Sequence, residues 1–82
     1  MTDAQVLDLI KAALFEVAPN RKEEFEEITL DDTIEDLALD SIATMEMVGF
    51  LEDKTENTFP DEELARVNSM GDLASLVRTG HL

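Results

Sequence analysis

The chain has no cysteine and a single histidine, His81. It therefore has no disulfide framework and too few sulfur and nitrogen ligands for a transition-metal site. It also has no apolar run near the ~20 residues of a membrane-spanning helix. Its first residues, MTDAQVLDLI, lack the basic and apolar regions of a secretory signal. These absences predict a soluble, cytoplasmic protein with no transition-metal site and no membrane insertion. The acidic run from Asp31 also fails the calcium-loop pattern, because Asp36 and Ile42 stand where glycine and glutamate are needed, so no metal site is expected.

Basic residues are scarce as well: 6 Lys and Arg stand against 20 Asp and Glu, which gives a net charge of −14. Nucleic acids and anionic membrane surfaces need a basic face, so neither is expected as a main partner. Basic patches on other proteins would attract such a chain, although acidic residues can also serve solubility alone. Apolar residues make up 44% of the chain, which argues against disorder.

The first helix is predicted over residues 3–17. Thr2 and Gln5 match a capping box, apolar residues follow at helical spacing, and Pro19 ends the helix. Residues 18–39 have no sustained period and predict a long first loop with room for one short helical turn. A loop of this length has to be pinned to the core, and its apolar residues are expected to pin it: Phe25, Ile28, Leu30, Ile34 and Leu37.

The best-marked helix is predicted from the N-cap residue Asp40 to about Thr55. One set of its side chains recurs with the spacing of a core-facing stripe: Thr44, Met47, Val48, Leu51 and Thr55. A second set lies on a different face and is expected to be exposed: Ile42, Met45 and Gly49.

Two further helices complete the prediction. In the stretch TFPDEELARV, Pro60 suits a first helical position and the acidic residues after it favour the positive end of the helix dipole, so a short helix is expected. Ser69 and Asp72 form a second capping pattern, which predicts a last helix that ends at Gly80. No strand pattern is present. The prediction is one domain over residues 1–82, all-α, a small four-helix bundle of three main helices and one short helix with a long first loop.

Ser41 lies at the mouth of the best-marked helix, directly after Asp40. A catalytic serine would need a base and an orienting group, but the single histidine lies next to the C-terminus and no Gly-x-Ser-x-Gly elbow is present. A serine at this place often belongs to the helix cap. A phosphodiester attached to it would instead be stabilised by the N–H groups and the dipole of the helix. Spacing alone favours an ordinary first-turn serine, with Asp40 as the cap, and leaves attachment open.

Three pieces of sequence around Ser41 resemble the acyl carrier proteins. They are DLALDSI at residues 36–42, MEMV at residues 45–48 and FPDEE at residues 59–63. Their spacing matches that family without a gap, and the length and acidity of the whole chain fit it. An Asp-Ser pair alone is a weak motif, whereas three pieces in register form a specific one.

The resemblance implies that Ser41, next to Asp40, carries 4′-phosphopantetheine, which a separate phosphopantetheinyl transferase takes from coenzyme A. The chain would not be an enzyme. It would carry acyl groups as thioesters, as a monomer, and present them to acyl-loading and acyl-transfer enzymes of a dedicated lipid, fatty-acid or polyketide-type pathway. The basic docking patches of those enzymes are expected to bind the helix after the serine at four residues: Ile42, Met45, Glu46 and Gly49.

The resemblance also implies an acyl pocket between the helices. The matching positions are Val48, Leu51, Phe59, Leu64, Val67, Leu73 and Leu76. Apolar spacing by itself is equally consistent with an ordinary core at all of them, and methionines nearby are adaptable packers.

Three residues depart from the family pattern. Ala38 replaces a usual glycine, so the turn before Ser41 is predicted to avoid a positive φ. Ala43 replaces an acidic residue and Gly49 replaces a large apolar one, which favours a specialised carrier over one for bulk fatty-acid synthesis. An aminoacyl or peptidyl carrier and an unmodified acidic interaction module remain as alternatives.

Overall fold

Three long helices and two short ones form the bundle in the computed structural model, which describes residues 2–79. The α-helices are Asp3–Val17 (α1), Lys22–Glu26 (α2), Ser41–Thr55 (α3), Asp61–Leu64 (α4) and Met70–Thr79 (α5), with 3-10 turns at Pro19–Arg21 and Glu35–Leu37. Within the described residues there is no strand, only an isolated bridge between Thr33 and Ser69. The predicted all-α bundle is confirmed. None of the helices described is both long enough and apolar enough to cross a membrane.

The predicted caps set the ends of the outer helices. Thr2 Oγ1 accepts a hydrogen bond from the N–H of Gln5 at 3.2 Å, and Gln5 Oε1 accepts one from the N–H of Thr2 at 2.9 Å. At α5, Ser69 Oγ accepts from the N–H of Asp72 at 3.0 Å. The backbone N–H groups of Asn68 and Ser69 donate to the carboxylate of Asp72 and lower its pKa. Both capping patterns therefore form as the sequence predicts.

The predicted start of α4 is wrong by one residue. Pro60 is the N-cap of α4 and not its first helical residue, because its ψ of 147° is extended. The predicted end of the last helix at Gly80, and the histidine His81, lie outside the described residues.

The long first loop is pinned to the bundle as predicted. It contains the short helix α2 and both 3-10 turns, and its side chains Phe25, Ile28 and Leu37 are buried. Leu30 and Ile34 pack against the core at partial burial. Backbone hydrogen bonds also tie the loop to the start of α5, because the N–H of Gly71 donates to Leu30 O at 2.9 Å and that of Met70 to Asp32 O at 2.7 Å.

The core-facing stripe of α3 is confirmed, with Met47 and Leu51 buried and the other three members half-buried: Thr44, Val48 and Thr55. Ile42 and Met45 are exposed on the opposite side, as expected. The helix thus divides its surface between the core and solvent from its first turn onward.

Gly49 offers a test of the exposed side of α3. A Cβ added there would meet no atom within 4 Å. Gly49→Ala should raise the free energy of unfolding by about 1 kcal/mol, because glycine is roughly that much less favourable than alanine inside a helix. Urea unfolding followed by circular dichroism measures the change.

Gly71→Ala is the contrast for this experiment. Its Cβ would lie 3.3 Å from the carbonyl oxygen of Leu30, so the tight contact should offset the gain in helix propensity. A Gly49→Ala variant that is no more stable than wild type would contradict the placement of residue 49 on an open helix surface.

Candidate attachment and docking site

Ser41 is the first residue of α3 and is exposed, while its neighbour makes the helix cap. Asp40 Oδ1 accepts a hydrogen bond from the N–H of Ala43 at 2.7 Å. The carbonyl oxygen of Asp40 accepts from the N–H of Thr44 at 3.0 Å and from its hydroxyl at 2.9 Å. Because Asp40 supplies the cap, the hydroxyl of Ser41 is not required for it.

The start of α3 is suited to an anionic group on Ser41. The helix has 15 residues, so the partial positive charge of its N-terminus is fully developed there. The first turn after Ser41 contains no acidic residue, so the carboxylate of Asp40 is the acidic group directly beside the serine. Among the described residues, no group of three or more His, Asp or Glu side chains is placed to hold a metal ion.

The turn before Ser41 differs from the prediction. Ala38 was expected to avoid a positive φ, but its φ is 52° and its ψ 44°, so this prediction is wrong. The residue terminates the 3-10 turn Glu35–Leu37, and its N–H donates to Glu35 O at 3.0 Å. The chain has to reverse there before the extended residue Asp40, so the turn takes the left-handed conformation that glycine would adopt more readily.

Arg21 contacts this turn, and sequence reasoning missed it. Its Nη2 donates to Leu37 O at 2.6 Å and its Nη1 to Ala38 O at 3.4 Å. No local pattern marks the contact, because Arg21 belongs to a different element of the long loop. The only signal in the sequence was that Arg21 is one of just 6 Lys and Arg residues in the chain.

The four predicted docking residues of α3 share one exposed face. Ile42 is 69% exposed and Met45 73%, and Glu46 and Gly49 are exposed beside them. Their spacing of i, i+3, i+4 and i+7 places them on one stripe of the helix. We refer to these four residues as the recognition strip.

An open cavity of about 510 Å³ lies beside α3 and is also lined by residues 58–61 and by side chains of α4 and α5. Five of the seven predicted pocket residues line it: Val48, Phe59, Leu64, Val67 and Leu73. The other two, Leu51 and Leu76, do not line it. Both have 0% exposure and belong to the closed core. Residues outside the prediction complete the lining: Ile34, Thr44, Met45, Met47, Glu52, Thr58, Pro60 and Asp61.

Glu52 fixes one wall of this cavity. Its Oε2 accepts a hydrogen bond from the backbone N–H of Phe59 at 2.7 Å. The bond ties the loop after α3 back to the helix, so Phe59 is held against the core at 3% exposure. A carboxylate seven residues from its partner gives no sequence signal of such a role.

Comparison with known proteins identifies the family of the chain. The family profile described as "Phosphopantetheine attachment site" matches residues 6–77. The acyl carrier protein of Exiguobacterium sibiricum is 38% identical over 80 residues, which cover 96% of this chain and 98% of that protein. The acyl carrier protein of a second Exiguobacterium strain is 35% identical over 80 residues, with the same coverage of 96% and 98%. The chain therefore belongs to the phosphopantetheine-attachment family and, within it, to the acyl carrier proteins.

Proposed function

We propose that Ser41 is the residue that carries phosphopantetheine and that Asp40 holds the helix end on which it stands. The observation that supports this most is that Asp40, and not Ser41, caps the start of α3. Asp40 Oδ1 caps the helix at 2.7 Å from the N–H of Ala43, and the exposed hydroxyl of Ser41 is left for attachment. When bound, the arm supplies a thiol that holds an acyl group as a thioester, and the tether gives that acyl group a high effective concentration at a docked partner.

The biological role follows the family. Acyl carrier proteins carry acyl groups and do not transform them, and they interact with a phosphopantetheinyl transferase and acyl-handling enzymes. For this chain we infer a monomeric, cytoplasmic carrier of one domain, without enzymatic activity, that serves a dedicated lipid, fatty-acid or polyketide-type pathway. The net charge of −14 supports partners with basic docking patches.

The recognition strip is the surface that we assign to those partners. It starts one residue after Ser41, so a partner seated on it also reaches the arm. Ile42 and Met45 provide apolar anchors at 69% and 73% exposure, and Glu46 provides a charge at the rim. Apolar anchors with a charged rim are the usual composition of a specific interface.

The cavity beside α3 is the place that we assign to the acyl chain. Its volume of about 510 Å³ falls in the range of small-molecule pockets, and most of its lining is apolar. Met45 belongs both to this lining and to the recognition strip. A partner that displaces Met45 would therefore act on the docking surface and on the mouth of the cavity together.

Glu46→Lys tests the recognition strip. The charge reversal should slow modification by the transferase about three- to tenfold at low salt, because rim charges act mainly on the association rate. The fold should be unaffected, since Glu46 is exposed. Transferase kinetics at two salt concentrations and thermal melting measure both effects.

Glu16→Lys is the matched control, because it makes the same charge change at an exposed position of α1. It should react at nearly the wild-type rate. Equal rates for Glu46→Lys and wild type at low salt would show that the strip is not the docking face.

The proposed function itself is tested by loading. The wild-type chain is incubated with coenzyme A and a broad-specificity transferase, and its intact mass is measured. We expect the gain of one phosphopantetheine per chain. With acyl-coenzyme A as the donor, we expect the added acyl mass to be released by hydroxylamine, which cleaves thioesters. A wild-type chain that gains no mass would instead be an unmodified acidic interaction module.

A further inference from the structure

We propose that Arg21 is a positioning residue for cofactor attachment, because its guanidinium fixes the turn that presents Ser41 to the transferase. The inference rests on the proposed function, since it takes Ser41 as the modified residue. It extends the site to the first 3-10 turn, Pro19–Arg21, which lies outside the recognition strip and outside the motif around Ser41.

Arg21 satisfies two carbonyl groups at the end of the second 3-10 turn. Its Nη2 lies 2.6 Å from Leu37 O, and its Nη1 lies 3.4 Å from Ala38 O. The last carbonyls of a helical turn have no partner inside it, and a cation there also matches the negative end of the turn. The guanidinium is a planar fork, so it reaches both oxygens at once, which the single ammonium of a lysine does less well.

The guanidinium is itself held in place from two other directions. Its Nε donates to Glu24 Oε2 at 3.0 Å, and its central carbon lies 4.8 Å from the centroid of the Phe25 ring. Phe25 is a core residue with 1% exposure. The side chain of Arg21 is only 25% exposed, so its hydrogen bonds are screened less than those of a fully exposed cation.

The turn needs such support because Ala38 adopts φ 52° without being glycine. An alanine keeps a left-handed backbone conformation only where contacts with the surrounding structure hold it there. Asp40, two residues later, must be extended with its carboxylate over the first turn of α3 for Ser41 to start the helix. If Ala38 relaxes, the path of residues 39–40 changes and a smaller fraction of molecules presents Ser41 in the reactive geometry.

The test compares three variants in the full chain. Arg21→Ala removes the fork, Arg21→Lys keeps the charge, and Lys22→Ala is the control that removes one neighbouring positive charge. Lys22 packs over the ring of Phe15, 5.4 Å from its centroid, and not on the turn. We expect kcat/KM of the transferase to fall about tenfold for Arg21→Ala, well within the roughly 10²-fold that a misplacement of 1 Å can cause. Arg21→Lys should lie between Arg21→Ala and wild type, and Lys22→Ala should match wild type.

Amide hydrogen exchange separates positioning from general stability. In Arg21→Ala, the amide of Ala38, which donates to Glu35 O at 3.0 Å, should exchange faster, while amides within α1 keep their protection. A loss of protection throughout α1 would mean that Arg21 acts through global stability and would overturn the proposal. So would an Arg21→Ala variant that reacts as fast as Lys22→Ala.

The two proposals fail in different ways. If Ser41→Ala still accepts phosphopantetheine, the assignment of Ser41 is wrong whatever Arg21 does. If wild type is modified on Ser41 and both Arg21 variants react like wild type, only the role of Arg21 is wrong.

Discussion

Ser41→Ala should abolish the attachment of phosphopantetheine and leave the free energy of unfolding nearly unchanged. The substitution removes only the exposed hydroxyl, and the helix keeps its cap because Asp40 Oδ1 still accepts the N–H of Ala43. Intact mass after reaction with coenzyme A and a transferase measures the first effect. Urea unfolding measures the second.

Ser69→Ala is the control for this experiment. We expect it to lower the free energy of unfolding and to leave phosphopantetheine attachment unchanged. Ser69 also stands at a helix mouth, but its Oγ accepts the N–H of Asp72 at 3.0 Å and is part of a cap. The variant should lose about 1 kcal/mol of stability and should be modified like wild type. Loss of stability in Ser41→Ala comparable with that in Ser69→Ala would show that Ser41 is a capping serine after all.

Leu51→Ala should lower the free energy of unfolding by about 2–5 kcal/mol, the range for truncating a fully buried leucine. Leu51 has 0% exposure and lies on the stripe by which α3 packs on the core. A domain of this size has a thin core. The loss is therefore a large part of its total free energy of unfolding, which is roughly 5–15 kcal/mol for native proteins. Urea unfolding with a fitted m-value measures it.

Leu64→Ala is the matched comparison, because it removes the same atoms at a half-buried position that lines the cavity. Its cost should be clearly smaller than that of Leu51→Ala, since fewer contacts are lost. Equal losses in the two variants would contradict the distinction between the closed core and the cavity wall.

The sequence predicts the long helices and the exposed strip well, because local chemistry decides them. The capping boxes at Thr2 and Ser69 set the starts of α1 and α5. The spacing of Ile42, Met45 and Gly49 places them on one face of the helix, and the resemblance to the acyl carrier proteins adds Glu46 to that face.

The parts that sequence reasoning missed depend on contacts between distant residues. Arg21 meets Leu37 and Ala38 only after the long loop folds back, and nothing near Arg21 in the chain indicates this. The φ of Ala38 was predicted wrongly because residue identity was taken to decide it, whereas the geometry of the turn decides it and an alanine can follow at a cost of about 1–2 kcal/mol.

The spacing of apolar residues also did not predict how deeply each of them is buried. Periodicity shows which face of a helix turns inward but not whether a residue there borders empty space. Leu51 and Val48 lie on the same stripe of α3, yet Leu51 is fully enclosed and Val48 lines the cavity. Val48 shares the cavity lining with residues 58–61 and Leu64, and the spacing within α3 does not indicate where those later segments lie.

The most direct test of the central claim is to locate the modification by peptide mass spectrometry. Trypsin cleaves after Lys22 and Lys54 and releases residues 23–54, in which Ser41 is the one serine. We expect all of the added phosphopantetheine on this peptide, with fragment ions that place it on Ser41. Modification of the peptide 67–78, which contains Ser69 and Ser75, or of no peptide at all, would contradict the account.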